Sequence, residues 1–390
     1  MTLTVLNDDE IRSLLEGLTA AELEGFRGAL ASALNEHSSD RAQGSSGTAG
    51  IPSIQQPERT SVHSTATGAT TLFMPSSSSI GNGIKVITLS SASASTTASP
   101  TPVIRPTGAI ALFSPHGSPH GFLHASALTA FRTALASLCL VRSRRAVRTL
   151  VVFGCGEQAY WHVRLALKAR GAHVERVVFV NPRASRTARE VVGRFVDRVG
   201  GDVKEREGWA RCEFGVVIRD EEGEAYEARL AGLLREADVV VCCTPSTEEL
   251  FDAGVLEKRE EGRLVVAIGS YTPEMREVPV SLIRQAVQQE EGVVVVDTAE
   301  GVLKEAGEFI TAGVKREHLV ELGELALLNT TKTRFAEQSG EEKNDRLVRW
   351  LQTGNVIYKS VGLGLMDLTT GMYLVDFAKD MGIGTLVPGF

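Results

Sequence analysis

Thr149-Leu-Val-Val-Phe-Gly154-Cys-Gly156-Glu-Gln-Ala159 runs from a short β-branched stretch through two glycines into residues spaced as a helix. A strand that meets a helix through glycines brings backbone amides and a helix N-terminus up to a phosphate. In a dinucleotide-binding turn, Gly154 permits the tight bend and Gly156 lets the backbone approach the pyrophosphate, while Ala159 lets the helix pack closely on the sheet. Chance places similar strings between other strands and helices, so the flanking pattern has to support the assignment.

That pattern is an alternation of strand and helix from residue 149 onward. Thr149 to Phe153, Arg176 to Val180, Asp238 to Cys243, Leu264 to Ile268 and Val293 to Asp297 are continuous Val-rich runs separated by helical segments. Parallel strands covered on both faces produce such runs, which predicts a Rossmann-type doubly wound α/β sheet. In such a fold the second strand ends beside the adenosine ribose, and a carboxylate there selects NAD(H). Here the strand ends in Asn181-Pro182-Arg183, with Arg186 close behind. With no acid to repel a 2′-phosphate and two guanidinium groups to pair with it, NADP(H) is favoured and NAD(H) stays possible. Thr244-Pro245-Ser246-Thr247 and Gly269-Ser270-Tyr271 follow two further strands at their carboxyl ends, where open parallel sheets place ligands. Each is either part of the cofactor site or an ordinary strand-to-helix loop.

The chain has 390 residues, enough for two domains, since single cores rarely grow beyond about 250 to 300 residues. Before the central turn lies a small β-rich α+β domain, expected over residues 1–135. Asn7-Asp-Asp-Glu10 and Thr19-Ala-Ala-Glu22 are two capping boxes, and Leu23, Phe26, Ala29, Leu30, Ala33 and Leu34 follow the second at helical spacing. Gly83-Ile-Lys85-Val-Ile-Thr-Leu and Thr107-Gly-Ala-Ile-Ala-Leu-Phe are strand-like, the latter leading into a turn-rich connection at Ser114 to Gly121. Residues 38–50 and 90–102, rich in Ser, Ala, Thr, Gly and Pro, are expected to be mobile loops. The Rossmann domain is placed at 136–325, with a polar surface insertion from Thr330 to Asp345. The final segment, 346–390, is taken as helical from Asn355 onward and as returning to the first domain. Arg59, Lys85 and Arg132 are basic residues on poorly charged elements of the first domain. Either they converge into a pocket for a small carboxylate or they are solvated charges.

A net charge of −7 gives no general drive toward nucleic acid or anionic membrane. From the acidic opening residues no secretory leader is expected, and no membrane-spanning apolar stretch is expected. The five cysteines lack metal-type spacing, which fits reduced thiols in a cytoplasmic protein without disulfide or zinc. Histidines 116, 120 and 124, in or just after the turn-rich connection, are expected to be solvated. No Ser-His-Asp or Cys-His arrangement argues for hydrolysis.

Taken together, several blocks resemble the ornithine cyclodeaminase/mu-crystallin family. They are Gln56-Pro-Glu-Arg59-Thr60, Met74-Pro75, Gly83-Ile-Lys85, Leu128-Thr-Ala-Phe-Arg132-Thr-Ala and Gly154-Cys-Gly156-Glu-Gln158-Ala159. Further on come Thr244-Pro-Ser-Thr-Glu248, Ala267 to Glu277, Val296-Asp297, Lys304-Glu-Ala-Gly-Glu308, Glu321-Leu-Gly-Glu324 and Tyr358-Lys-Ser-Val-Gly-Leu-Gly-Leu-Met-Asp367. The resemblance implies a homodimer whose first domain, completed by the carboxyl-terminal helix, carries substrate binding and dimerisation. It makes Arg59, Lys85 and Arg132 the substrate-side residues and places Arg132 and Thr133 beside the cofactor phosphates. It adds Glu157 and Gln158 to Gly154 and Gly156 in the cofactor turn, with Asn181, Arg183, Arg186, Thr244, Pro245, Ser246 and Gly269 completing the cofactor set.

Cyclodeaminases carry an aspartate soon after the glycines of the strand-end loop, where this chain has Gly269-Ser270-Tyr271-Thr272. That departure argues against ornithine cyclisation and toward the mu-crystallin and ketimine reductase members. The expected activity is an NAD(P)H-dependent reductase of a small imino or keto acid. Ornithine cyclodeaminase, an alanine dehydrogenase-type activity and a non-catalytic NADPH-binding protein are the alternatives.

Overall fold

Residues 2–43, 53–90, 106–256, 261–288, 293–325 and 341–390 are described by the computed structural model. In chain order the strands are β1 (Thr2–Leu6), β2 (Thr60–His63), β3 (Ala69–Ser78), β4 (Gly81–Ser90), β5 (Thr107–Phe113), β6 (Pro119–His124), β7 (Thr149–Phe153) and β8 (Arg176–Asn181). They continue as β9 (Glu213–Ile218), β10 (Val239–Cys242), β11 (Arg263–Ala267), β12 (Val294–Val296), β13 (Leu319–Glu321), β14 (Asn355–Lys359) and β15 (Thr385–Pro388). The chain divides into two units, Met1–Thr133 with Gly362–Phe390, and Ala134–Val361, and the division falls inside the helix Ala125–Ser143.

The first unit is built on a seven-stranded sheet in the order β15-β1-β6-β5-β4-β3-β2, antiparallel except where β1 lies parallel to β6. Alternation of period two sets its faces. Gly81, Gly83, Lys85 and Ile87 of β4 are buried, as are Ile110 and Leu112 of β5 and Leu123 of β6. The helix Gly364–Asp380 packs against β3, β4, β5 and β6 and against the helix Ala20–Gln43. Gly121 admits that helix, because a Cβ there would lie 2.7 Å from Val375 Cγ2. The helix Ala20–Gln43 supplies Leu23, Phe26, Leu30 and Leu34 to this core. Both capping boxes form: Asn7 and Glu10 exchange hydrogen bonds at the start of the helix Asp8–Gly17, and Thr19 and Glu22 do so before Ala20.

On the opposite face, Pro75, Ile84, Ala111 and Phe122 stand in one cross-strand row, with Phe73 and Val86 paired beside them. All are half-buried except Phe122, which is 48% exposed.

The second unit holds an eight-stranded, wholly parallel sheet in the order β13-β12-β14-β11-β10-β7-β8-β9. Its interior strands are buried along their length, the condition that the Val-rich runs predicted. Strand order turns at β7 and β10, and the glycine turn leaves β7 at this switch point, where open α/β sheets bind ligands.

Several expectations are corrected. Asn355–Lys359 is not helical: it is β14, inserted between β11 and β12. A short run such as Val356-Ile-Tyr358 has no period by which a buried strand can be told from a helix, and its β-branched and aromatic residues fit a strand. Residues 38–43, expected in a loop, continue the helix to Gln43, because His37 and Ser38 are buried on its length. Ser90 closes β4, while 44–50 and 91–102 lie outside the described residues. Of the polar piece Thr330 to Asp345, residues 341–345 begin the helix Glu341–Thr353 and the rest lies outside them. Among the described residues one helix, Ala125–Ser143, is long and apolar enough to cross a membrane by length and composition, contrary to the expectation from the sequence. Of that window, 83% is buried inside the protein, as in a core helix.

Candidate functional site

In the first unit, β4 alternation turns the Lys85 side chain toward the covered face, where a lysine is out of place unless paired. Its partner is Asp367, in the first turn of the helix Gly364–Asp380, with Nζ 2.6 Å from Oδ2. A carboxylate at that position also complements the partial positive charge of a helix start. Arg132, on the helix Ala125–Ser143, approaches the same carboxylate, its Nε donating to Oδ1 at 3.0 Å, and Nη1 donates to Met366 Sδ. All three side chains are at most 4% exposed. Gly362, at φ +89°, lies against the guanidinium: a Cβ there would come within 3.2 Å of Arg132 Nη2.

Two buried cations thus share one carboxylate. Burial pushes the Lys85 ammonium down to about 8, the Arg132 charge adds to this, Asp367 opposes it, and the half-buried Arg59 lowers it further. The structure therefore brings Lys85, Arg132 and Arg59 into one electrostatic neighbourhood. Thr133, next to Arg132 on the same helix, donates Oγ1 to Thr129 O at 2.8 Å.

Asp367, and Gln56, which bonds to the start of the Asp367 helix, were not among the candidates read from the sequence. Asp367 closes the last quoted block, but only the sheet-to-helix contact shows what it pairs with. Gln56 Oε1 accepts from Leu365 N at 2.7 Å and its Nε2 donates to Pro75 O at 3.2 Å, tying the approach to β2 to the start of the same helix.

In the second unit, Gly154 has φ +103°, a conformation L side chains rarely adopt, and its N–H donates to Val180 O at 2.8 Å. A Cβ at Gly154 would also lie 3.1 Å from Cys243 O. Gly156 caps the helix Glu157–Arg170, and the space where its Cβ would stand is open to 4 Å. Glu157 pairs with Arg194 at 2.9 Å. Gln158 is half-buried beside it and its carbonyl meets His162 Nδ1. Burial pushes the Cys155 thiol up to about 12, so this cysteine is a packing residue rather than a thiolate nucleophile.

Asn181 ends β8, its Nδ2 donating to Arg183 O at 2.6 Å. Arg183 and Arg186 are exposed, and Arg186 meets Glu190 at 2.7 Å. Thr244, Pro245 and Ser246 follow β10, with Ser246 N donating to Thr244 O and its Oγ to Glu248 O. Gly269 follows β11 and packs on the Thr244 backbone so closely that a Cβ would sit 2.2 Å from Thr244 O.

Beneath these loops lie buried charges that sequence reasoning left without a role. Glu277 accepts from Thr244 N and from Gly269 N, at 2.7 and 2.5 Å. Ser270 Oγ donates to Glu308 at 2.5 Å, and Lys359 Nζ donates to Ser270 O. Asp297 accepts from Ser360 Oγ and Val361 N. All fall within the quoted blocks, yet nothing in the local pattern marks a glutamate eight residues beyond a strand-end glycine as its partner.

Replacing Asp367 with Asn leaves Lys85 and Arg132 buried without a counter-charge. Urea denaturation is expected to show a loss of about 3 to 5 kcal/mol, and a loss below about 1 kcal/mol would show that the two cations are satisfied elsewhere.

A profile of the ornithine cyclodeaminase/mu-crystallin family matches residues 19–381. The Delta(1)-pyrroline-2-carboxylate reductase of Bacillus cereus is 26% identical over 278 residues, 70% of each chain. The ketimine reductase mu-crystallin of Mus musculus is 25% identical over 270 residues, 68% of each chain. Among solved structures, the Delta(1)-pyrroline-2-carboxylate reductase of Thermococcus litoralis, in complex with NADH and L-proline, shares the fold. It has a TM-score of 0.68 at 20% identity and covers 98% of this chain and 99% of its own. With buried cations on one sheet, a glycine turn at the switch point of the other and this match along nearly its whole length, the chain belongs to the ornithine cyclodeaminase/mu-crystallin family.

Proposed function

We propose that this protein is a nicotinamide-dinucleotide-dependent reductase of a small imino or keto acid. The observation that carries the proposal is the sharing of Asp367 by two buried cations, Lys85 and Arg132. One carboxylate against two cations leaves a positive surplus in a low-dielectric setting, and a second, exogenous carboxylate would neutralise it. Arg132, with Arg59 nearby, offers the planar donors that grip such a group. Lys85, held near the pH of the cell, serves as the proton source that keeps an imine nitrogen protonated. The reductase names of the Bacillus cereus and Mus musculus relatives support this assignment.

The glycine turn fits a dinucleotide: Gly156 leaves open space at a helix start, and Gly154 holds a φ that a side chain would strain. Bound there, the reduced nicotinamide supplies a hydride to the imine or carbonyl carbon. Asn181 places no negative charge where an adenosine 2′-phosphate would lie, and Arg183 and Arg186 stand exposed beside it, so NADPH is the favoured donor. A second copy of the chain is proposed to cover the apolar row that runs through Ile84, Ala111 and Phe122.

Four outcomes are expected. With Delta(1)-pyrroline-2-carboxylate as the probe, Lys85→Ala lowers turnover at least about 100-fold with dinucleotide affinity within about threefold of wild type. Since only the ammonium donates a proton, wild-type turnover falls as pH rises through about 8. Undiminished turnover in the variant would remove Lys85 from the chemistry. Replacing Arg183 and Arg186 together with Ala weakens NADPH at least about tenfold and leaves NADH nearly unchanged; equal effects on the two would show that these arginines do not read the 2′-phosphate. In sedimentation velocity the wild type runs as a dimer and Phe122→Asp as a monomer. A monomeric wild type would refute the dimer.

A further inference from the structure

Glu277 is 0% exposed, and its carboxylate is buried beneath two loops that leave neighbouring strands. Oε1 accepts from Thr244 N at 2.7 Å and from Thr244 Oγ1 at 3.3 Å, just beyond β10. Oε2 accepts from Gly269 N at 2.5 Å and Ser270 N at 3.1 Å, just beyond β11. Each oxygen thus serves one loop, and the rigid carboxylate sets the separation between them. The loops have little latitude of their own, since Gly269 packs directly on the Thr244 backbone.

We infer that Glu277 is a positioning residue for dinucleotide binding, its ionised carboxylate clamping the Thr244 and Gly269 loops in the register that receives the cofactor. This rests on the function proposed above, which places the cofactor against those loops. Glu277 itself lies below them and makes no contact with the ligand.

A clamp of this kind has a cost that a purely structural residue would avoid. An apolar side chain could fill the volume without desolvating a charge, whereas the buried carboxylate is pushed up to about 7. Burial is the main cause. Glu308, on the helix Gly307–Ala312, pushes the same way, while Lys359 of β14 and the N–H donors of Thr244 and Gly269 pull down. The thiols of Cys242 and Cys243, which also face Glu277, are themselves raised by burial and by its charge. Lys359 is engaged by Ser270 and lies 3.4 Å from Glu308, so it acts on Glu277 from behind the Ser270 loop. Three of the four groups that meet Glu277 are backbone N–H donors, which cannot accept a proton in return. Protonation therefore removes an acceptor from one loop.

The sign of the pH effect follows. The clamp is complete above about pH 7 and loosens as pH falls through that value. The test uses the full chain and Glu277→Gln, whose amide can accept at only one of the two positions. NADH and NADPH dissociation constants are measured by nicotinamide fluorescence on both sides of that pH. Amide hydrogen exchange of Thr244, Gly269 and Ser270 is followed in the ligand-free protein.

The variant is expected to bind the preferred dinucleotide about tenfold more weakly, to turn over within about threefold of wild type at saturating cofactor, and to exchange those amides faster. Wild-type affinity for NADH, whose pyrophosphate keeps its charge here, should fall as pH drops through 7, whereas the variant's stays level. Equal affinities with the same pH dependence would overturn the positioning role and leave the function standing. A wild type that binds neither NADH nor NADPH would instead overturn the function, and the cofactor role of Glu277 with it. Should the variant fail to fold, the wild-type profile decides: level affinity across pH 7 overturns the inference.

Discussion

The carboxylate of Asp367 lies between Lys85 and Arg132, three charged groups drawn from a strand, a helix and a second helix 235 residues further along the chain than Arg132. Burying two cations is unfavourable unless they are paired and hydrogen-bonded, and one carboxylate meets that need only in part. Removal of Asp367 would leave both cations uncompensated, so the carboxyl-terminal helix is held to the sheet by charge as well as by packing. The residual positive potential is also what makes this place suited to an anionic ligand. Stability and the proposed chemistry therefore draw on the same arrangement, in which burial first and the neighbouring Arg132 charge second depress the Lys85 ammonium.

The second unit solves a different problem. A parallel sheet ends in a row of loops whose backbone amides must find acceptors, and here carboxylates take several of them. Glu277 serves the loops after β10 and β11, Asp297 serves the residues after β14, and Glu321 accepts from Ala299 N at 3.1 Å. Gly154 belongs to the same scheme, since its left-handed backbone lets β7 turn away beneath the Cys243 carbonyl.

How far this was legible in the sequence depended on the range of the signal. Val-rich runs and the glycine turn are local, and they predicted the parallel sheet before any contact was known. Capping boxes at Asn7 and Thr19 are equally local, and both form as predicted. β14 was missed because a three-residue apolar run lacks a period, and its place between β11 and β12 is settled by partners more than 50 residues away in sequence. Asp367 and Glu277 were visible as residues of quoted blocks but not as partners of anything. Their meaning depends on which donors face them, and those donors come from other elements.

The sequence by itself determined the fold class, the position of the glycine turn after β7 and the family, because hydrophobic period, glycine placement and motif order are properties of neighbouring residues. Tertiary structure alone decided that Lys85 and Arg132 share Asp367, and that Glu277 joins two loops across neighbouring strands. The physical reason is that a buried charge is defined by what replaces its water, and the replacing groups are assembled only when distant segments pack together.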